Sequence, residues 1–171
     1  MATADKIMLG IGTVSVGATP VGLTRGGSVF VVEREIREIE ADGDFGPVEG
    51  RVVVDREVAK LTVNALELFT AANMTKYYPA SEVVADPDVT PTGDIFRSTL
   101  EIVAGDYNDV VWTGKTKDGK AVVITLENAL NVSGIEWTLE DKSEVVPSLE
   151  FVAHYSEASR DTPPWKVRFA R

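Results

Sequence analysis

Apolar and polar residues alternate with period two over several stretches of this chain, the signature of strands with one face buried. Ala59, Leu61, Val63 and Ala65 interleave with Lys60, Thr62 and Asn64. Val122, Ile124 and Leu126 alternate with polar neighbours across 120–127. Ile135, Trp137 and Leu139 do the same, as do Leu149, Phe151, Ala153 and Tyr155, and finally Trp165, Val167 and Phe169. Each run predicts a strand, which places all three tryptophans in the core. Lys117-Asp118-Gly119-Lys120 separates two such runs, and Asp-Gly tolerates the positive φ of a tight turn. This predicts a hairpin pairing 108–116 with 120–127. The Val-rich 29–32 run continues into Glu33–Ala41, read as one extended segment, and Thr24-Arg25-Gly26-Gly27-Ser28 reads as a turn before it.

One helix is predicted, over about 70–78, with Thr70 as N-cap and Pro79 ending it. Asp86-Pro87, Thr90-Pro91 and Thr92-Gly93 make 79–94 a loop. Valine, isoleucine and threonine number 25, 8 and 15 against 10 leucines, and β-branched side chains favour sheets. The class expected is mainly β: a sandwich or barrel forming one domain over 1–171, with one short helix and a long loop near 40–50.

Composition narrows the chemistry. The chain of 171 residues carries 17 basic and 27 acidic side chains, one histidine and no cysteine. Disulfide frameworks, thiolate catalysis and Cys-ligated metals are thereby excluded. No apolar run approaches the roughly twenty residues of a spanning helix, so no membrane insertion is expected, and 1–6 does not read as a secretory signal. A net charge of −10 disfavours adhesion to DNA phosphates. His154 lacks a nucleophile-elbow serine and reads as an ordinary strand histidine. Gly10-Ile11-Gly12 lacks the third glycine of a dinucleotide loop, and Asp42-Gly43-Asp44 does not continue as a calcium loop. No enzyme activity, metal or cofactor is expected.

Charge is unevenly spread. Between Glu33 and Glu57 lie nine acidic and four basic residues, five of the ten net negative charges in 25 of the 171 residues. A solvated hairpin with a charged, aggregation-resistant edge accounts for this. So does a hairpin that presents an anionic surface, with 41–50 at its tip.

Several segments carry a family resemblance. Val16-Gly17-Ala18-Thr19-Pro20-Val21-Gly22-Leu23-Thr24-Arg25-Gly26-Gly27-Ser28, Glu33-Arg34-Glu35, Ala41-Asp42-Gly43 and Gly46-Pro47-Val48-Glu49-Gly50 resemble the N-terminal half of major tail tube proteins of long-tailed, non-contractile bacteriophages. Gly114-Lys115-Thr116-Lys117-Asp118-Gly119-Lys120, Ser133-Gly134-Ile135-Glu136-Trp137 and Pro163-Pro164-Trp165-Lys166-Val167 are similar to the C-terminal half. The resemblance implies a β-sandwich of the tail tube type that forms six-fold rings stacked into a hollow tube. It implies a virion (tail) protein assembled in the host cytoplasm. Its partners are itself, a tape measure protein in the lumen, tail tip (distal tail) and tail terminator proteins, with DNA passing through unbound. Within that frame, 1–27 is an N-terminal arm and first strand, 40–50 the loop reaching the next ring, and 79–94 a variable loop.

Glu33, Glu35, Asp55 and Glu57 are then the candidates for facing the lumen, where negative charge repels phosphates. Glu40, Asp42, Asp44, Phe45, Val48 and Glu49 are the candidates for inter-ring contact. A ring protein of a contractile tail or secretion machine shares this architecture, and a free-standing β-sandwich binding module remains the reading from a different class.

Overall fold

The computed structural model describes residues 6–67, 70–88 and 92–171. Ten strands and one helix follow in the order β1 Met8–Val16, β2 Thr19–Pro20, β3 Thr24–Glu38, β4 Val52–Ala65, α1 Ala71–Tyr77, β5 Ser81–Asp86, β6 Gly93–Ser98, β7 Asn108–Thr116, β8 Ala121–Asn131, β9 Ser148–Val152 and β10 Trp165–Phe169. The mainly-β expectation holds, as two packed open sheets and not a closed barrel. In the first, β2, β1, β7, β8 and β10 lie side by side. In the second, β8, β9, β4 and β3 do.

Strand β8 belongs to both sheets. Its residues 121–126 pair with β7 on one edge and β10 on the other, and Leu130 and Asn131 pair with β9. Between those stretches the register shifts and Asn128 takes a left-handed φ of 48°, with its N–H donating to Asp109 at 3.1 Å. A bulge of this kind bends a strand sharply, which carries β8 round the corner from one sheet to the other.

The core fills the space between the sheets. Val14, Val16, Val110, Trp112, Val122, Ile124 and Leu126 come from the first sheet, and Ala59, Leu61, Val63, Leu149 and Phe151 from the second. The predicted alternation in β4, β8 and β9 is therefore the buried face. Trp112 lies across two glycines: a Cβ at Gly114 would sit 2.1 Å from its ring and one at Gly12 2.5 Å. Helix α1 adds Met74 and Tyr77 to the core, followed by Tyr78. Thr70 has the extended conformation of an N-cap, but its side chain makes no cap bond; its carbonyl accepts from Asn73 and Met74. Buried Asn131 is fully engaged, donating to the Tyr77 carbonyl at 2.7 Å and accepting from Ser133 and Glu150.

The 117–120 hairpin forms as expected, with Gly119 at φ 83° and its N–H donating to the Thr116 carbonyl. Five expectations need correction. The segment 79–94 is not all loop: β5 and β6 pair from Ser81↔Ser98 to Asp86↔Gly93, though Thr90-Pro91 falls outside the described residues, as do 1–5 of the N-terminal arm. Proline marked the turn of that hairpin and obscured the strands either side. Residues 135–139 form no strand, and Ile135, Trp137 and Leu139 are exposed. Alternation reports a preference for one-sided burial, and the β9 groups nearest this segment are already taken: the Glu150 N–H donates to the Asn131 side chain, and the Ser148 carbonyl accepts from the Ser133 hydroxyl. Trp137 accordingly stands outside the core that holds Trp112, while Trp165 packs against its margin. The glycines of 24–28 lie inside β3, at a register shift against β4 where Gly26 and Gly27 take positive φ. Strand β9 stops at Val152, so His154 and Tyr155 lie beyond it.

Candidate functional site: the projecting hairpin arm

Strands β3 and β4 pair antiparallel along almost their whole length, but the core supports only part of the ladder. In β4, Ala59, Leu61, Val63 and Ala65 are buried, whereas 52–56 are exposed on both faces. In β3, residues 33–38 are likewise all exposed. The hairpin thus projects past the sandwich as a two-stranded arm, closed by the loop 39–51. Isolated two-stranded ribbons are marginal in water, and without burial something else must set the register of this one.

Charge pairing across the strands does so. Register sets Arg34 opposite Glu57 and Glu35 opposite Arg56. Arg34 pairs with Glu57, Arg56 with Glu35 at 3.4 Å, and Lys60 with Glu33 at 3.0 Å. A register shift follows between Glu35 and Ile36, and there Arg37 grips Asp55 with two bonds of 2.8 and 3.2 Å. Exposed pairs contribute about 0–1 kcal/mol each, so the ladder fixes register more than it adds stability.

All four candidate lumen residues therefore have a cationic partner. They do not share one surface. Strand alternation puts Phe30, Val32 and Arg34 on the core side of β3, with Leu61, Ala59 and Glu57 opposite them on β4. Glu33 and Glu35 lie on the other face with Arg56 and Lys60, and Arg37 brings Asp55 into that set. On the core side, Trp165 of β10 donates its indole N–H to Glu57 at 2.6 Å and packs its ring on Phe30, centroids 5.9 Å apart. The Trp165 bond, followed by that from Arg34, holds the Glu57 carboxyl below the ordinary carboxylate range. Glu57 is thus the root of the arm, where the ladder meets the body.

The loop is organised by one carboxylate. Asp44 accepts from the Ala41 N–H at 2.9 Å and from Arg51 at 2.5 Å, while the Ile39 N–H donates to the Arg51 carbonyl at 2.8 Å. Glu40, Asp42 and Glu49 make no ion pair among the described residues, and neither does Glu38. Phe45 is fully exposed and Val48 partly so. The negative excess seen in the sequence therefore sits at the tip, and the arm between tip and body is close to neutral.

Sequence reading missed Lys60 and Trp165, which lie outside the acidic stretch. A cross-strand pairing scheme centred on the 41–50 loop exposes the Arg34–Glu57 and Glu35–Arg56 complementarity; nothing local points to Trp165, 108 residues from Glu57 in the chain.

Elsewhere, His154 rests edge-on against Tyr107, centroids 5.3 Å apart, with Arg160 and Asp161 lining the same cleft. Among the described residues no three His, Asp or Glu side chains are grouped to hold a metal ion, and no helix is long and apolar enough to cross a membrane.

No protein-family model matches the chain, and no curated protein resembles it significantly. Among solved structures, a chain of the virion of a native gene transfer agent (GTA) particle superposes with a TM-score of 0.49. Its sequence identity is 7%, over 94% of this chain and 95% of that one. Identity so low assigns no residue a role here.

Proposed function

We propose that this chain is a structural virion protein that assembles with itself into the stacked rings of a phage-type tail tube, through which DNA passes. The ordered motifs from Val16 to Val167 that resemble tail tube proteins suggest the reading. The observation that carries it is the arm, a hairpin extended beyond its own core with exposed Ile36, Val52, Val53 and Val54 and a long outer edge on β3. An edge of that length is an aggregation hazard in a monomer and an asset in a ring, where a neighbouring subunit covers it. On this reading the tip loop reaches the next ring, and tape measure, tail tip and terminator proteins meet the finished tube.

The Glu33–Glu35–Asp55 face is the proposed lining. Its role is subtler than repulsion, because Lys60, Arg56 and Arg37 make it neutral. Adhesion to DNA requires cations free to replace counterions at phosphates, and here each cation is already held by a carboxylate. Rings and tubes of purified protein should be visible by negative-stain electron microscopy. In the triple variant Glu33→Gln, Glu35→Gln, Asp55→Asn, three cations per subunit are released, and the assembled protein should retain duplex DNA with an affinity that falls steeply as salt rises. A variant that assembles and still ignores DNA overturns the lining assignment; protein that stays monomeric at all concentrations overturns the tube.

A further inference from the structure

The tip carries two features that its own chain does not satisfy. Phe45 is fully exposed, although a solvated phenylalanine forfeits roughly 2 kcal/mol of available burial. Around it, residues 38–51 hold Glu38, Glu40, Asp42, Asp44 and Glu49 against Arg51 alone, a local excess of four negative charges. Asp44 and Arg51 are used in shaping the loop. The remaining four carboxylates face solvent around an apolar knob.

At the rim of the first sheet lies a recess of complementary character. The start of β1, the 117–120 turn and the end of β10 enclose about 300 Å³. Met8 and Phe169 supply its apolar surface over buried Val122, and Lys6, Lys120 and Arg171 stand around it against the carboxylate of Asp118. Met8 and Phe169 are more than half exposed. Lys6 and Arg171 make no ion pair among the described residues, and Lys120 makes a long one of 4.0 Å with Asp118. A benzene molecule fits a cavity of about 150 Å³, so a phenylalanine ring has room here.

We infer that the tip of one copy docks in this recess of a second copy, Phe45 entering between Met8 and Phe169 while Glu40, Asp42 and Glu49 meet Lys6, Lys120 and Arg171. The inference rests on the self-assembly reading and names the contact through which it works. Knob and socket are different patches of one molecule, so the contact is heterologous. Each copy that donates a tip still offers an empty socket, and the contact propagates instead of closing as a dimer. Charge complementarity selects the orientation and speeds encounter, and salt weakens it.

The test places a photo-crosslinking amino acid at position 45 of the full chain and irradiates a mixture of light and ¹⁵N-labelled protein. Crosslinked peptides joining heavy and light chains at Met8 or Phe169 are expected. Lys6→Glu with Lys120→Glu should lower their yield at least tenfold, and adding Glu40→Lys with Glu49→Lys should restore it. Tubes whose crosslinks map elsewhere, crosslinks only within single chains, or no rescue by the charge swap each overturn the docking. The first of these leaves the tube reading standing, whereas intermolecular crosslinks at the recess without rings or tubes keep the docking and reject the tube.

Discussion

The body and the arm of this protein are built from the same two strands, β3 and β4, and share one continuous backbone ladder. In the body, Ala59, Leu61 and Val63 are sealed against Phe151, Leu149 and the opposite sheet. In the arm, the ladder continues without a core, and cross-strand charges take over from apolar packing. The difference teaches that hydrogen-bonded pairing specifies where a strand lies without supplying much of its stability. Burial supplies that, and the arm, deprived of it, keeps its register through Arg34–Glu57, Glu35–Arg56 and Arg37–Asp55. A surface meant for partners can be presented this way without taking part in the molecule's own folding energy.

Substitutions that probe the two regions should separate them. Phe151→Ala, in the centre of the core, is expected to cost about 3–5 kcal/mol, whereas Val54→Ala on the arm should stay within about 0.5 kcal/mol. Denaturant titration of both reads the contrast directly, and equal losses would show the arm to be part of the core. Gly114→Ala forces a methyl against the Trp112 ring and should cost about 1–3 kcal/mol; Gly46→Ala, with nothing near its Cβ, should cost almost nothing.

The finest distinction lies at the junction, Glu57. Its folded-state carboxyl titrates below the ordinary range because Trp165 and Arg34 bond to its charged form. The resulting stabilisation is present above the unfolded value of about 4.3 and is lost as pH falls through the lower folded one. Trp165 fluorescence should therefore change in that acid window. In Glu57→Gln, whose amide oxygen still accepts the indole bond, the change should vanish; a persisting transition assigns it to another carboxylate.

The sequence made the body legible where packing is one-sided and local. The alternation in β4, β8, β9 and β10, the Asp118-Gly119 turn and helix α1 all follow from residue type and spacing. Legibility failed where the deciding partner is distant. Ile135, Trp137 and Leu139 alternate as well as any true strand, yet the neighbouring groups of β9 are taken by the Asn131 and Ser133 side chains. Pro87 follows the end of β5 instead of abolishing it, and the strand pairs with β6. The same limit governs the site. Acidity of 33–57 is visible in the sequence, but the pairing of Glu33 with Lys60, and the anchoring of Glu57 by Trp165, require the fold to bring remote residues together.

Strand β8 has a mechanical consequence. Because one chain runs through both sheets across the kink at Asn128, the sheets are joined by covalent bonds as well as by side-chain contact. Tension applied at the arm enters the second sheet through β4 and passes through β9 into β8. From there it reaches the first sheet along peptide bonds. The two layers cannot shear past one another without straightening that kink, so a molecule pulled at the arm transmits load as a single stiff link.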